Sequence, residues 1–95
     1  MVTTSDQRKL FEMNATSTAR AVTLPAASSA GDGFEIVVKT DGTNGTTITP
    51  NGSDTINETT SYVLASDNDA VKLICDGADN WVCTSVFKTN TGDVV

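Results

Sequence analysis

The sequence predicts an all-β domain, a small antiparallel β-sandwich or tulip-like barrel. Three observations lead there. Short apolar stretches recur every eight to twelve residues, as in chains built of many short strands. Thr, Asn, Asp, Ser and Gly fill the intervening positions, which is turn chemistry. Hydrophobic residues make up 38% of the 95 positions and charged residues 19%, enough apolar material for one core and too little charge for a disordered chain. Two cores would not fit in this length, so residues 1–95 are read as a single domain.

The elements follow in chain order. Residues 1–7 are polar or unpatterned and are expected as a flexible, extended arm. Lys9-Leu10-Phe11-Glu12-Met13 and Ala19-Arg20-Ala21-Val22-Thr23-Leu24 read as strands. Pro25 and the small-residue stretch Ala26–Ala30 read as a bend, with a helix as runner-up because Ala propensity is high and Pro is tolerated at a first helical position. Gly33–Lys39 is the clearest strand, with Phe34, Ile36 and Val38 on one face. Thr46–Thr49 and Asp54–Asn57 flank Pro50-Asn51-Gly52-Ser53, which reads as a hairpin or corner. Ser61–Leu64, Ala70–Cys75 and Trp81–Val86 are expected as a C-terminal meander, the last two joined by Asp76-Gly77-Ala78-Asp79-Asn80. Residues 88–95 read as a flexible tail. The structural core expected from this pattern is Phe34, Ile36, Val38, Ile48, Ile56, Leu64, Leu73 and Trp81.

Composition removes several functions. Six Lys and Arg against twelve Asp and Glu leave a net charge of −6, which argues against nucleic acid or an anionic membrane as partner. No apolar run is long enough to cross a membrane, and the N-terminus lacks the basic-then-apolar order of a signal peptide, so the expectation is a cytosolic product. The chain has no His, the commonest general base and metal ligand. No catalytic residue, cofactor or metal is assigned, and an enzyme is not expected. Glycoside cleavage would need two carboxylates at a defined separation, and the spacing of the acidic residues selects no such pair.

Four local features have two readings each. Asp67, Asp69, Asp76 and Asp79 could gather around calcium, but Asp is also a turn residue, and turns are preferred here. Cys75 and Cys83 are close enough in sequence to face each other across a hairpin, yet a cytosolic chain favours free structural thiols. Asn14, Asn44, Asn51 and Asn57 each begin a glycosylation acceptor triplet, which in so Asn- and Thr-rich a chain reads as coincidence. Trp81 could stack on a sugar if exposed; a core anchor is the preferred reading.

Between Thr18 and Val86 the succession Ala21-Val22-Thr23-Leu24-Pro25, Ala26-Ala27-Ser28-Ser29-Ala30-Gly31-Asp32-Gly33-Phe34, Thr47-Ile48-Thr49-Pro50-Asn51-Gly52-Ser53-Asp54-Thr55-Ile56 and Val71-Lys72-Leu73-Ile74-Cys75-Asp76-Gly77-Ala78-Asp79-Asn80-Trp81 resembles a structural module of tailed bacteriophages. That module occurs in tail fibres and in small virion decoration proteins. The order of the pieces carries the resemblance; no single piece does. Because little sequence lies outside the module, the expectation is a stand-alone accessory: a non-enzymatic capsid decoration or cement protein, made in the host cytoplasm and placed on the outer surface of the virion head. The resemblance implies a homotrimer whose partner is the major capsid protein. A trimer would also relieve the marginal burial of so small a domain and protect its sheet edges. Capsid contact is expected from the N-terminal segment, at Val2, Thr3, Thr4, Arg8 and Lys9. The alternative is a tail-fibre or adhesin component that binds host-surface glycan.

Overall fold

A computed structural model describes Val2, Thr3 and residues 5–87 of the chain. The expected tail, 88–95, lies outside the described residues. The elements are β1 (Leu10–Asn14), β2 (Arg20–Thr23), α1 (Ala27–Ala30), β3 (Glu35–Asp41), β4 (Thr46–Thr49), β5 (Thr55–Ile56), β6 (Tyr62–Leu64), β7 (Ala70–Cys75) and β8 (Asn80–Phe87). The described chain is all-β apart from the single turn of α1.

The strands form two sheets, one of five in the order β1-β3-β7-β8-β5 and one of three in the order β2-β4-β6. Alternation along β3 turns Ile36, Val38 and Thr40 inward, and β7 answers with Val71, Leu73 and Cys75. Ile36 faces Leu73 and Val38 faces Val71 in the antiparallel register. Val22, Ile48 and Leu64 of the small sheet enter the same hydrophobic cluster, together with Phe34, Ile56 and Trp81. One core therefore serves both sheets. All eight core candidates, Phe34, Ile36, Val38, Ile48, Ile56, Leu64, Leu73 and Trp81, are buried.

Pairing departs from the antiparallel expectation. β1 with β3, β2 with β4 and β5 with β8 are parallel. For the first two the reason lies in the path: the chain crosses from the large sheet to the small one between β1 and β2, returns through α1, and crosses again in the same direction between β3 and β4. The two crossings run side by side and are stitched together. Ala15 N–H donates to the Asp41 carbonyl at 2.6 Å, and Arg20 N–H donates to the Gly45 carbonyl at 3.0 Å. Gly42 sits where they touch; a Cβ there would lie 2.6 Å from the backbone of Ala15 and Thr16. Only glycine permits that approach.

Three further expectations change. Ala26–Ala30 is not a plain bend: α1 makes one helical turn, with Ala30 N–H donating to the Ala26 carbonyl at 3.0 Å, and ends at Gly31 with φ 91°. So short a helix needs tertiary support, and the Asp54 carboxylate supplies it by accepting Ala27 N–H at 2.9 Å. β6 does not join a meander with β7 and β8, because it pairs with β4 in the other sheet. Finally, the segment expected as a free arm starts from an anchor. Val2 is fully buried in the core cluster, and its N–H donates to the Thr23 carbonyl at 3.0 Å.

Candidate interaction surface

The outward face of the large sheet differs in charge from the connections between strands, although exposed apolar groups are not confined to it: Val63 of β6 is exposed as well. Leu10, Val37 and Lys72 lie in one cross-strand row, Glu12 and Lys39 in a second, and Glu35, Ile74 and Val82 in a third. Side chains in adjacent rows meet, as paired strands require. Lys72 reaches Glu35 at 3.0 Å, Arg8 reaches the same carboxylate at 3.4 Å, and Lys39 contacts Asp41 at 2.6 Å and Glu12 at 3.6 Å. The Asp41 hydrogen bond, ahead of the other effects, raises the Lys39 ammonium above its ordinary range. Arg8, Lys39 and Lys72 thus balance Glu12, Glu35 and Asp41. A shallow depression of about 200 Å³ opens between Arg8, Glu35, Ile36, Val37 and Lys72. Leu10, at 57% exposure, and Val82, at 38%, stand beside it as exposed apolar groups.

Excess negative charge lies elsewhere, in the connections between strands: Asp32, Asp54 and Glu58, then Asp67, Asp69, Asp76 and Asp79. The result is a charge-balanced face carrying apolar side chains on an otherwise acidic domain.

The expected contact residues divide. Arg8 and Lys9 lie at the rim of this face, just before β1. Arg8 takes a left-handed conformation at φ 66°, its N–H donating to the Glu35 carbonyl, while Lys9 pairs with Asp6 at 3.1 Å. Thr3 is turned back on Asp6, which accepts its N–H at 2.8 Å; this hydrogen bond, and then Lys9, hold the Asp6 carboxyl below the usual range. Val2 is in the core and presents no side chain to a partner. Thr4 lies outside the described residues. Leu10, Val37, Ile74 and Val82 were missed by sequence reasoning, although a signal existed. In Ile36-Val37-Val38 and Leu73-Ile74-Cys75 apolar residues occupy both phases of the strand, the pattern of a sheet covered on both faces.

The remaining candidates are absorbed by structure. Asp76 Oδ1 accepts N–H groups of Ala78, Asn80 and Asp79 at 2.8, 3.0 and 3.1 Å, and these bonds, Ala78 first, lower its pKa. Asp67 accepts Gly42 N–H at 2.7 Å and Asp69 accepts Ser66 N–H at 3.1 Å. Among the described residues no group of three possible ligands forms a metal site. Cys75 and Cys83 are free, two places out of register on β7 and β8, and burial pushes both thiols up. The Cys75 thiol donates to the Ala27 carbonyl at 3.3 Å. Trp81 is fully buried, edge-on to Phe34 with ring centroids 5.9 Å apart.

No protein-family model, curated protein or solved structure matches this chain.

Proposed function

We propose that this chain is a non-enzymatic structural protein of a tailed-bacteriophage virion, a capsid decoration or cement protein. In this reading it folds in the host cytoplasm, assembles as a homotrimer of sandwich or tulip-like subunits, and binds the major capsid protein on the outer surface of the head. The observation that carries the reading is the neutral, apolar-bearing face of β1, β3, β7 and β8, since protein interfaces place apolar groups at the centre and paired charges around them. Acidic connections would keep free copies soluble and apart before assembly. The glycan-binding alternative draws less support: Trp81 and Phe34 are buried and Tyr62 is half-buried, so they form no exposed stacking platform.

Co-sedimentation with undecorated heads tests the proposal. Leu10→Asp and Val82→Asp place unpaired charge on the face at exposed positions and should leave the fold intact, yet binding should fall about tenfold or more, the loss expected when a buried charge finds no partner. Folded variants that co-sediment like the parent, or labelled protein found only on tails, would overturn it.

A further inference from the structure

The chain contains two Asn-Gly steps, Asn44-Gly45 and Asn51-Gly52, and the fold treats them oppositely. Asn44 is clamped at both ends: its backbone N–H and its side-chain Nδ2 donate to the Ala15 carbonyl at 3.2 and 2.9 Å. Gly45 is buried, its carbonyl accepts Arg20 N–H, and its missing Cβ would lie 3.1 Å from the Leu64 carbonyl oxygen. Asn44 is itself exposed, so its restraint is these bonds: for its side chain to swing toward the Gly45 nitrogen, the Nδ2 hydrogen bond to Ala15 must break.

Asn51, Gly52 and Ser53 are all exposed. The turn is closed by Asp54 N–H donating to the Asn51 carbonyl at 2.8 Å, and this bond uses neither the Asn51 side chain nor the Gly52 N–H. Among the described residues neither group has a hydrogen-bond partner. Gly52 has φ 53°, and nothing stands within 4 Å of where its Cβ would be. The side-chain amide and the adjacent main-chain nitrogen are thus free to meet.

We propose that Asn51 is a self-modification site, undergoing spontaneous succinimide formation in the folded protein while Asn44 is protected. The Gly52 nitrogen attacks Asn51 Cγ, the new N–Cγ bond forms and the Cγ–Nδ2 bond breaks. Ammonia leaves, carrying the proton lost from the Gly52 N–H. Water then opens the ring, at Cγ to give aspartate or at the main-chain carbonyl to give isoaspartate. Either product adds one negative charge three residues from Asp54, the carboxylate that holds the first turn of α1. Isoaspartate also lengthens the main chain at the corner between β4 and β5.

The test is incubation of the full chain at mildly alkaline pH, native and in denaturant, followed by peptide mass mapping with fragmentation that separates aspartate from isoaspartate. Native protein should convert Asn51 about tenfold faster than Asn44 or more, because reaction at Asn44 requires local opening. In denaturant the two rates should converge. Asn51→Gln, whose longer side chain closes the ring slowly, should stop conversion in its own peptide and leave Asn44 unchanged. Equal native rates, or faster conversion at Asn44, would overturn the assignment.

Discussion

In the five-stranded sheet, β3 buries three alternating side chains, β7 buries three more and Ala70, and an ion pair ties their outward positions. The three-stranded sheet is built differently. Val22 from β2 and Leu64 from β6 are the single buried side chains of their strands, and β4 adds Ile48 and Thr46. Its strands are three or four residues long, too short to stand without a partner layer. The large sheet holds most of the core, and the small one closes it. Contact between them is partly polar: buried Thr46 Oγ1 donates to Thr40 Oγ1 at 2.8 Å, so the seam contains a satisfied hydrogen bond rather than a bare hydroxyl.

If the large sheet carries the stability, its aromatic pair is where the greatest loss should occur. Trp81→Ala should cost about 3–5 kcal/mol in chemical denaturation, a large share of the roughly 5–15 kcal/mol that a domain has. A loss below about 1 kcal/mol would show that the core does not depend on this ring. Gly42→Ala strikes the seam instead. The position has φ 98° and no room for a Cβ, so backbone strain of about 1–3 kcal/mol is expected, before any displacement of Ala15. Amide exchange should then rise more at Val22 and Ile48 than at Ile36; a uniform rise would mean that the two sheets open as one unit.

Smaller effects sharpen the picture at the edge of the large sheet. Asn57 and Glu58 both adopt positive φ, at 50° and 67°, between reciprocal hydrogen bonds of Ile56 and Thr59. Glu58→Gly should stabilise by about 0.5–1 kcal/mol, by releasing a left-handed conformation that disfavours a side chain. Last comes pH. Asp76 is held below the ordinary aspartate range in the folded state, so its contribution is complete above its unfolded value, near 4, and fades as pH falls through the lower folded value. Melting curves in that acid window should flatten in Asp76→Asn, whose side-chain oxygen still accepts the turn N–H groups but no longer titrates.

Local pattern carried much of this fold. Alternation of Phe34, Ile36 and Val38 suffices to place β3, and the Gly-bearing connection from Asp76 to Asn80 suffices for the β7–β8 hairpin. What lay beyond reach was the choice of partners. Nothing in Tyr62-Val63-Leu64 says that it will pair with β4 rather than β7, because both offer an apolar strand of opposite direction. Parallel pairing of β1 with β3 depends on a path through two sheets, which no short window contains. Val2 is followed by the polar run Thr3–Lys9, with no periodicity to mark it as buried. Of the candidate surface, Arg8 and Lys9 drew notice by charge. Leu10, Val37, Ile74 and Val82 did not, since an apolar residue between two core residues reads as more core until the sheet is assembled.

The side-by-side crossings set an order of events. Leu10 pairs with Val37 and Arg20 with Thr46, so β1 and β2 find no partner until β3 and β4 exist. On the ribosome β1 and β2 emerge before β3 and β4 and must wait for them, and β5 must wait for β8. Pairings so distant along the chain close large loops before they are rewarded, which places this domain among slow folders, in the range of milliseconds to seconds. The β7–β8 hairpin has the shortest loop between paired strands and so the smallest closure cost of any pairing here.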